Sequence, residues 1–155
     1  MSHPFDAIIP TPFGAVGIRT QDDFLVGLEL LAEPHTELVS INPFVQNVAS
    51  QVKQYLTNPH TAFDVPYVVK GTPFQKRVWR AIAAIPSGQT LSYGELAAKL
   101  GSGPRAVANA CGANQVPLLI PCHRVVAKNG LGGFMQGKAS GLAVKQWLLA
   151  HEEKA

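Results

Sequence analysis

Residues 90–112 read TLSYGELAAKLGSGPRAVANACG, and the punctuation of this stretch decides what kind of fold surrounds it. Ser92, Tyr93, Gly94 and Glu95 form an S-x-x-E capping box, in which serine and glutamate each satisfy the other's backbone N–H at a helix start. The helix it opens is short and ends at Gly101. The Gly-Ser-Gly turn then leads to Pro104, whose fixed φ suits the first position of a second helix running to about Gly112. Two short helices joined by a glycine-rich turn predict a helix-turn-helix, a motif whose second helix enters a DNA groove. That second helix carries Arg105 as its one long side chain, while Ala106, Ala108, Ala110 and Gly112 supply almost no bulk. It is poorly equipped to read base edges. It can instead approach a backbone or shallow groove closely, or pack tightly inside the protein, and the pattern favours neither.

Working outward, Thr72-Pro73 caps a helix with Phe74, Val78, Trp79 and Ile82 on one face, stopped by Pro86-Ser87-Gly88. On the other side, VPLLIP reads as a buried strand delivering Cys122. GLAVKQWLLAHEE reads as an amphipathic helix that buries Leu142, Val144, Trp147 and Leu148 and ends with His151 and Glu152. Toward the N-terminus, AIIPTPFGAVGIRT and FLVGLELL are short apolar runs broken by Pro12, Gly14 and Gln21-Asp22-Asp23, as in a hairpin or small sheet. Asn42-Pro43 opens a helix with Phe44, Val48, Val52 and Tyr55 at helical spacing, and Asn58-Pro59 ends it. AFDVPYVVKG reads as a strand and connector. The expected fold is α/β (α+β): an N-terminal sheet-plus-helix lobe over residues 1–69 and a mostly helical domain with the helix-turn-helix over residues 70–155.

Of the 155 residues 46% are hydrophobic and 15% charged, enough apolar surface for a core and too much for a disordered chain. No apolar run reaches the roughly 18 residues that span a bilayer. MSHPFDAIIP lacks the basic start and apolar stretch of a secretory signal, so cytoplasm is the expected compartment. Cys111 and Cys122 are accordingly expected as free thiols, and with the histidines they show none of the paired spacings of a structural zinc site. The net charge of +3 conceals an asymmetry. Residues 1–69 hold two bases and seven acids, a balance of −5, whereas residues 70–155 hold eleven bases and three acids, a balance of +8. A basic half of that size points to a polyanion, with nucleic acid first among the candidates.

Cys122 sits directly before His123 and Arg124 in LLIPCHRVV, residues 118–126. A buried structural cysteine needs no basic neighbours; a nucleophilic one does, because the thiolate is the reactive species. Adjacent side chains on extended backbone point apart. A turn after Pro121 would bring both groups to one side, with a water between them and an acid orienting the imidazole. Glu95 is committed to its capping box, which leaves the terminal helix, with Glu152 and Glu153, as the source of that acid. On this reading the thiol ionises below the reference value of about 8.5.

GTPFQKRVWRAIAAIPSGQTLSYGELA, RAVANACGANQVPLLIPCHRVVAKNG and GLAVKQWLLAHE together resemble the O6-alkylguanine-DNA alkyltransferase family, with Pro-Cys-His-Arg-Val at the centre. The resemblance covers about residues 71–152, and TPFGAVGI resembles the family's variable first lobe more loosely. It implies transfer of an alkyl group from an extruded guanine to the protein's own cysteine, once per molecule and without a cofactor or metal. Cys122 then matches the alkyl acceptor, His123 the residue that deprotonates it through water, and Glu152 the acid bonded to that histidine. Asn114 matches a support of the active-site turn, and Tyr93 matches a residue that helps rotate the nucleotide and acts near O6. Arg105 matches the arginine that fills the gap in the duplex, Gln75 falls among the DNA contacts, and Lys145 matches a lysine of the terminal helix. Val125 and the Cys122 carbonyl match acceptors for the guanine amino group. The implied partner is duplex DNA bearing O6-alkylguanine, with O4-alkylthymine left open; no membrane is implied, and the protein is expected as a monomer. Gln115 stands where many relatives have proline, and the loop before Lys145 is a few residues longer than usual. Two rival readings remain at this point: a helix-turn-helix regulator without transfer activity, and a cysteine hydrolase.

Overall fold

The computed structural model describes residues 4–132 and 139–153. At the N-terminus, β1 (Ala7–Thr11), β2 (Gly14–Gln21) and β3 (Phe24–Leu31) form an antiparallel sheet in the order β1-β2-β3. Gln21 pairs with Phe24, so Asp22 and Asp23 are the whole turn between β2 and β3. Both take positive φ, 52° and 61°, as the tight turns that match strand twist require and as aspartate tolerates. α1 (Pro43–Thr57) begins as its sequence predicts, with Asn42 Oδ1 accepting from the N–H of Phe44 and Val45. It buries Val45, Val48, Val52 and Tyr55 and packs on β1 and β2. The strand expected in AFDVPYVVKG is reduced to one bridge, Leu25 with Tyr67. Pro66 has no N–H to offer a ladder; its carbonyl accepts from Leu25, and Val68 N–H donates to the Leu25 carbonyl.

α2 (Pro73–Ala83) and α3 (Tyr93–Leu100) each start with a complete capping box, Thr72 with Gln75 and Ser92 with Glu95. Gly101 closes α3 in the left-handed conformation, and α4 (Pro104–Gly112) follows, so the helix-turn-helix forms as expected. Val78, Trp79 and Ile82 bury as predicted, and the Trp79 indole N–H donates to the Ala110 carbonyl at 2.8 Å, fixing α4 on α2. β4 (Leu91–Ser92) and β5 (Val125–Val126) form a two-residue parallel ladder, Leu91 beside Val125 and Ser92 beside Val126. α5 (Ala139–Glu153) ends the described chain. Side chains from the sheet and every helix meet in one apolar cluster, which includes Val16, Ile18, Leu25, Val52, Ile82, Leu96, Val107 and Leu148.

Two expectations are corrected. Val116, Leu118 and Ile120 are buried as predicted, but the segment is a succession of turns, not a strand. Pro117 followed by Leu118 at φ 77° has the pattern of a type II turn, and Ile120 N–H returns to the Val116 carbonyl at 3.0 Å. On α5, Val144 and Leu148 are buried but Leu142 is 38% exposed. The inward face instead takes Lys145, His151 and Glu152, polar side chains that find partners inside.

Gly14 is the glycine on which the sheet depends most. Its φ is 144°, and a Cβ there would lie 2.1 Å from the Leu31 carbonyl oxygen across the strand pair. Gly14→Ala is expected to destabilise the protein by at least about 1–3 kcal/mol, read as a lower midpoint in urea unfolding.

Candidate functional site

Asn114, just past the end of α4, organises the loop that carries the thiol. Its Nδ2 donates to the Ile120 carbonyl at 2.8 Å and to Cys122 Sγ at 3.2 Å, and its Oδ1 accepts from Val116 N–H at 3.0 Å. One side chain thus holds both ends of the 116–120 turns and touches the sulfur. After Pro121 the backbone tightens into a 3₁₀ turn over Cys122–Arg124, with Arg124 N–H donating to the Pro121 carbonyl. The turn that the sequence required after Pro121 is present, and both Cys122 and His123 are buried, at 4% and 1% exposure.

His123 Nε2 lies 2.8 Å from Glu152 Oε2. The carboxylate can only accept, so Nε2 carries the proton and Nδ1 keeps its lone pair. That Nδ1 is buried with no hydrogen-bond partner among the described residues. Burial holds the His123 pKa below its ordinary 6.5 against the pull of Glu152, so the imidazole is a neutral base at pH 7. Glu152 accepts further bonds from Arg124, Nε to Oε1 and Nη2 to Oε2, both at 2.9 Å, and from the Tyr55 hydroxyl at 2.7 Å. Burial alone would raise its pKa, but the bonds from His123, Arg124 and Tyr55 outweigh that and hold it well below the usual carboxylate range. Arg124 therefore serves the carboxylate, not the thiol as its place beside Cys122 in the sequence suggested. Its third nitrogen, Nη1, donates to the Ile85 carbonyl.

The cation that bears on the sulfurs is Lys145, buried on α5 with Nζ 2.7 Å from the Val125 carbonyl. Burial lowers its pKa to about 8, against the pull of the thiols toward the charged form. The expectation of an acidic Cys122 thiol is corrected. Its hydrogen bond with Cys111, together with burial, keeps Cys122 well above the ordinary thiol value, and the same bond lowers the half-buried Cys111. At rest Cys122 is a protonated thiol, and removal of its proton belongs to the reaction itself.

The other predicted residues fall at the edges of this centre. The β4–β5 ladder brings the start of α3 beside the 3₁₀ turn, so Tyr93 stands near the site, with Lys145 Nζ 5.8 Å from its ring centroid. Gly132 packs on that ring: a Cβ there would lie 2.7 Å from Tyr93 Cε2. Val125 is fully buried; its carbonyl accepts from Lys145, and the Cys122 carbonyl accepts from Val125 N–H, leaving each oxygen a second lone pair. Arg105 is exposed on the first turn of α4. The helix divides the two readings of its small residues by face, with Val107 and Ala110 packed inward while Gly103 and Gly112 meet nothing on the open side. Gln75 lies at the start of α2, its Oε1 accepting from Thr72 N–H. Gln115 accepts from Lys70 N–H and donates to the Lys70 and Ala113 carbonyls. Most of the long loop before Lys145, residues 133–138, lies outside the described residues. Sequence reading missed Tyr55 and Cys111 as members of the site. Tyr55 carried no signal beyond its core spacing, whereas a second cysteine eleven residues before Cys122 was visible but had no reason to be near it.

Fold and site together define a helix-turn-helix protein with a cysteine–histidine–glutamate centre held against the motif. Residues 73–154 match the family model described as 6-O-methylguanine DNA methyltransferase, DNA binding domain. The chain is 39% identical over 150 residues to a probable methylated-DNA–protein-cysteine methyltransferase of Acanthamoeba polyphaga mimivirus, covering 95% of each chain. Its fold is similar to that of Mycobacterium tuberculosis O6-methylguanine methyltransferase, with a TM-score of 0.80, 31% identity and coverage of 95% of this chain and 91% of that one. Mycobacterium tuberculosis OGT in complex with DNA is matched at a TM-score of 0.78 and 33% identity, with the same coverage. The chain belongs to the O6-methylguanine-DNA methyltransferase family.

The unequal thiols give a direct chemical test. A small alkylating agent such as iodoacetamide at pH 7 is expected to label Cys111 before Cys122, because Cys111 is both more accessible and closer to ionisation. Peptide mapping after timed quenching reads the order.

Proposed function

We propose that this protein extrudes O6-alkylguanine from duplex DNA and transfers the alkyl group irreversibly to Cys122. Residues 70–155 would serve as the DNA-binding and acceptor part, and residues 1–69 as a supporting lobe. The observation that carries the reading is the buried His123 beside Cys122, with its Nε2 fixed on Glu152 and its Nδ1 lone pair uncommitted. In the transfer, Cys122 Sγ attacks the alkyl carbon; the S–C bond forms as the C–O6 bond breaks. The thiol proton passes through a bridging water to Nδ1 and is returned to the departing guanine. Thiol and alkylguanine become thioether and guanine, with no cofactor and no change of oxidation state.

The remaining residues take the roles that the family resemblance implies, and their positions support that reading. Asn114 supports the sulfur, Tyr93 acts near O6, and Val125 and the Cys122 carbonyl offer acceptors to the guanine amino group. Arg105 would fill the gap left by an extruded base, whose unstacking costs a few kcal/mol; its exposure on the first turn of α4 supports this. Gln75 at the start of α2 contacts the backbone. The basic half supplies sequence-independent affinity for phosphates. The protein would act as a monomer in the compartment that holds the DNA.

Mass spectrometry tests the reaction. Mixing the protein with an O6-methylguanine duplex is expected to add one methyl group, about 14 Da, to Cys122 and to stop at one per molecule. More than one transfer per molecule, or an adduct elsewhere, overturns the reading. The rate on free O6-benzylguanine is expected to fall as pH drops below 6.5, where His123 with its lowered pKa gains a proton and ceases to be a base. His123→Ala should slow transfer about 10²–10⁴-fold on free base and DNA alike. Arg105→Ala should slow repair of duplex DNA while leaving the free base nearly unaffected; equal losses on both substrates would remove the gap-filling role.

A further inference from the structure

Tyr55 belongs to α1, 97 residues before Glu152 in sequence, yet its hydroxyl donates to Glu152 Oε2 at 2.7 Å and both groups are buried. That oxygen also receives the N–H of His123 and one nitrogen of Arg124. Three donors converge on an atom with two lone pairs, so each weakens the hold of the others. The backbone of Tyr55 is fixed as firmly. Its carbonyl would ordinarily accept from the residue four positions on, but that is Pro59, which has no N–H. His151 Nε2 takes its place at 2.7 Å, with the imidazole stacked on Trp147 and edge-on to the Tyr55 ring.

We infer that Tyr55 is a positioning residue of the relay, whose phenol limits how strongly Glu152 pulls on His123 and so sets the pH at which the base becomes available. This inference rests on the alkyl-transfer reading. Burial and the adjacent carboxylate push the phenol above its ordinary pKa, so Tyr55 remains a donor across the working range. Among the described residues, the charged and titratable groups facing this cluster are Arg124 from the 3₁₀ turn, and Lys145, His151 and Glu152 from α5. Removing the phenolic donor leaves Glu152 free to hold the His123 N–H more strongly. The imidazolium is then better stabilised and the His123 pKa rises.

The test measures transfer from free O6-benzylguanine to the full chain between pH 5 and 8.5. It compares the wild type, Tyr55→Phe, and a protein with 3-fluorotyrosine at position 55, a stronger donor of nearly the same shape. Tyr55→Phe is expected to move the acid inflection up by about 0.5–1 pH unit and fluorotyrosine to move it down. A purely structural tyrosine would alter the plateau or the melting temperature and leave the inflection in place. Should Tyr55→Phe fail to fold, the fluorotyrosine protein decides alone. Transfer by the wild type with coincident inflections overturns this inference only; no transfer by the wild type overturns the alkyl-transfer reading and this inference with it.

Discussion

A carboxylate removed from water must be satisfied from within the protein, and Glu152 is that carboxylate here, at 2% exposure. Its donors are Tyr55 of α1 and His123 and Arg124 of the 3₁₀ turn. These segments are far apart in sequence, and the burial of one charge obliges them to meet. Removing one partner of a buried ion pair costs about 3–5 kcal/mol, which is a large part of the stability of a domain this size. The constraint therefore acts on the fold as well as on the site. α5 cannot slide and α1 cannot lift without stranding the charge.

A second connection runs along the other side of the loop. Gln115 is bonded through its side chain to both backbone groups of Lys70, and its carbonyl accepts from Leu28 N–H on β3. The segment that carries Asn114 and the thiol is thereby held to the sheet at one end and to α1 through Glu152 at the other. Proline at position 115 could not reproduce the side-chain pair with Lys70, so Gln115 brings its own fastening.

Much of this was legible in the sequence because local rules agree with the tertiary outcome. The capping boxes at Thr72 and Ser92, the Asn42 cap and the Gly101 stop each act within a few residues, and each formed as read. The two-aspartate turn before Phe24 is of the same kind. The site was legible in part for a different reason: the acids of the basic half are so few that elimination led to the terminal helix, and Glu152 is bonded to His123. What failed depended on distance. VPLLIP has the composition of a strand, and only the side chain of Asn114 and the prolines turn it back on itself. Leu142 and Lys145 exchange the places that hydrophobicity gives them because the Val125 carbonyl can receive an ammonium. The partner of the Tyr55 hydroxyl had no local trace at all.

The resting state of the sulfur has a consequence for how long the protein lasts. Oxidants and stray electrophiles attack thiolates, and the first step of cysteine oxidation starts from the ionised form. A sulfur kept protonated and 4% exposed is slow to age, whereas one ionised in advance would be lost to the first reactive small molecule. On the proposed function each molecule is spent on a single event, so the time it can wait intact matters as much as the speed with which it acts. The hydrogen bond that Cys122 donates to Cys111 and the closed surroundings of Cys122 favour waiting.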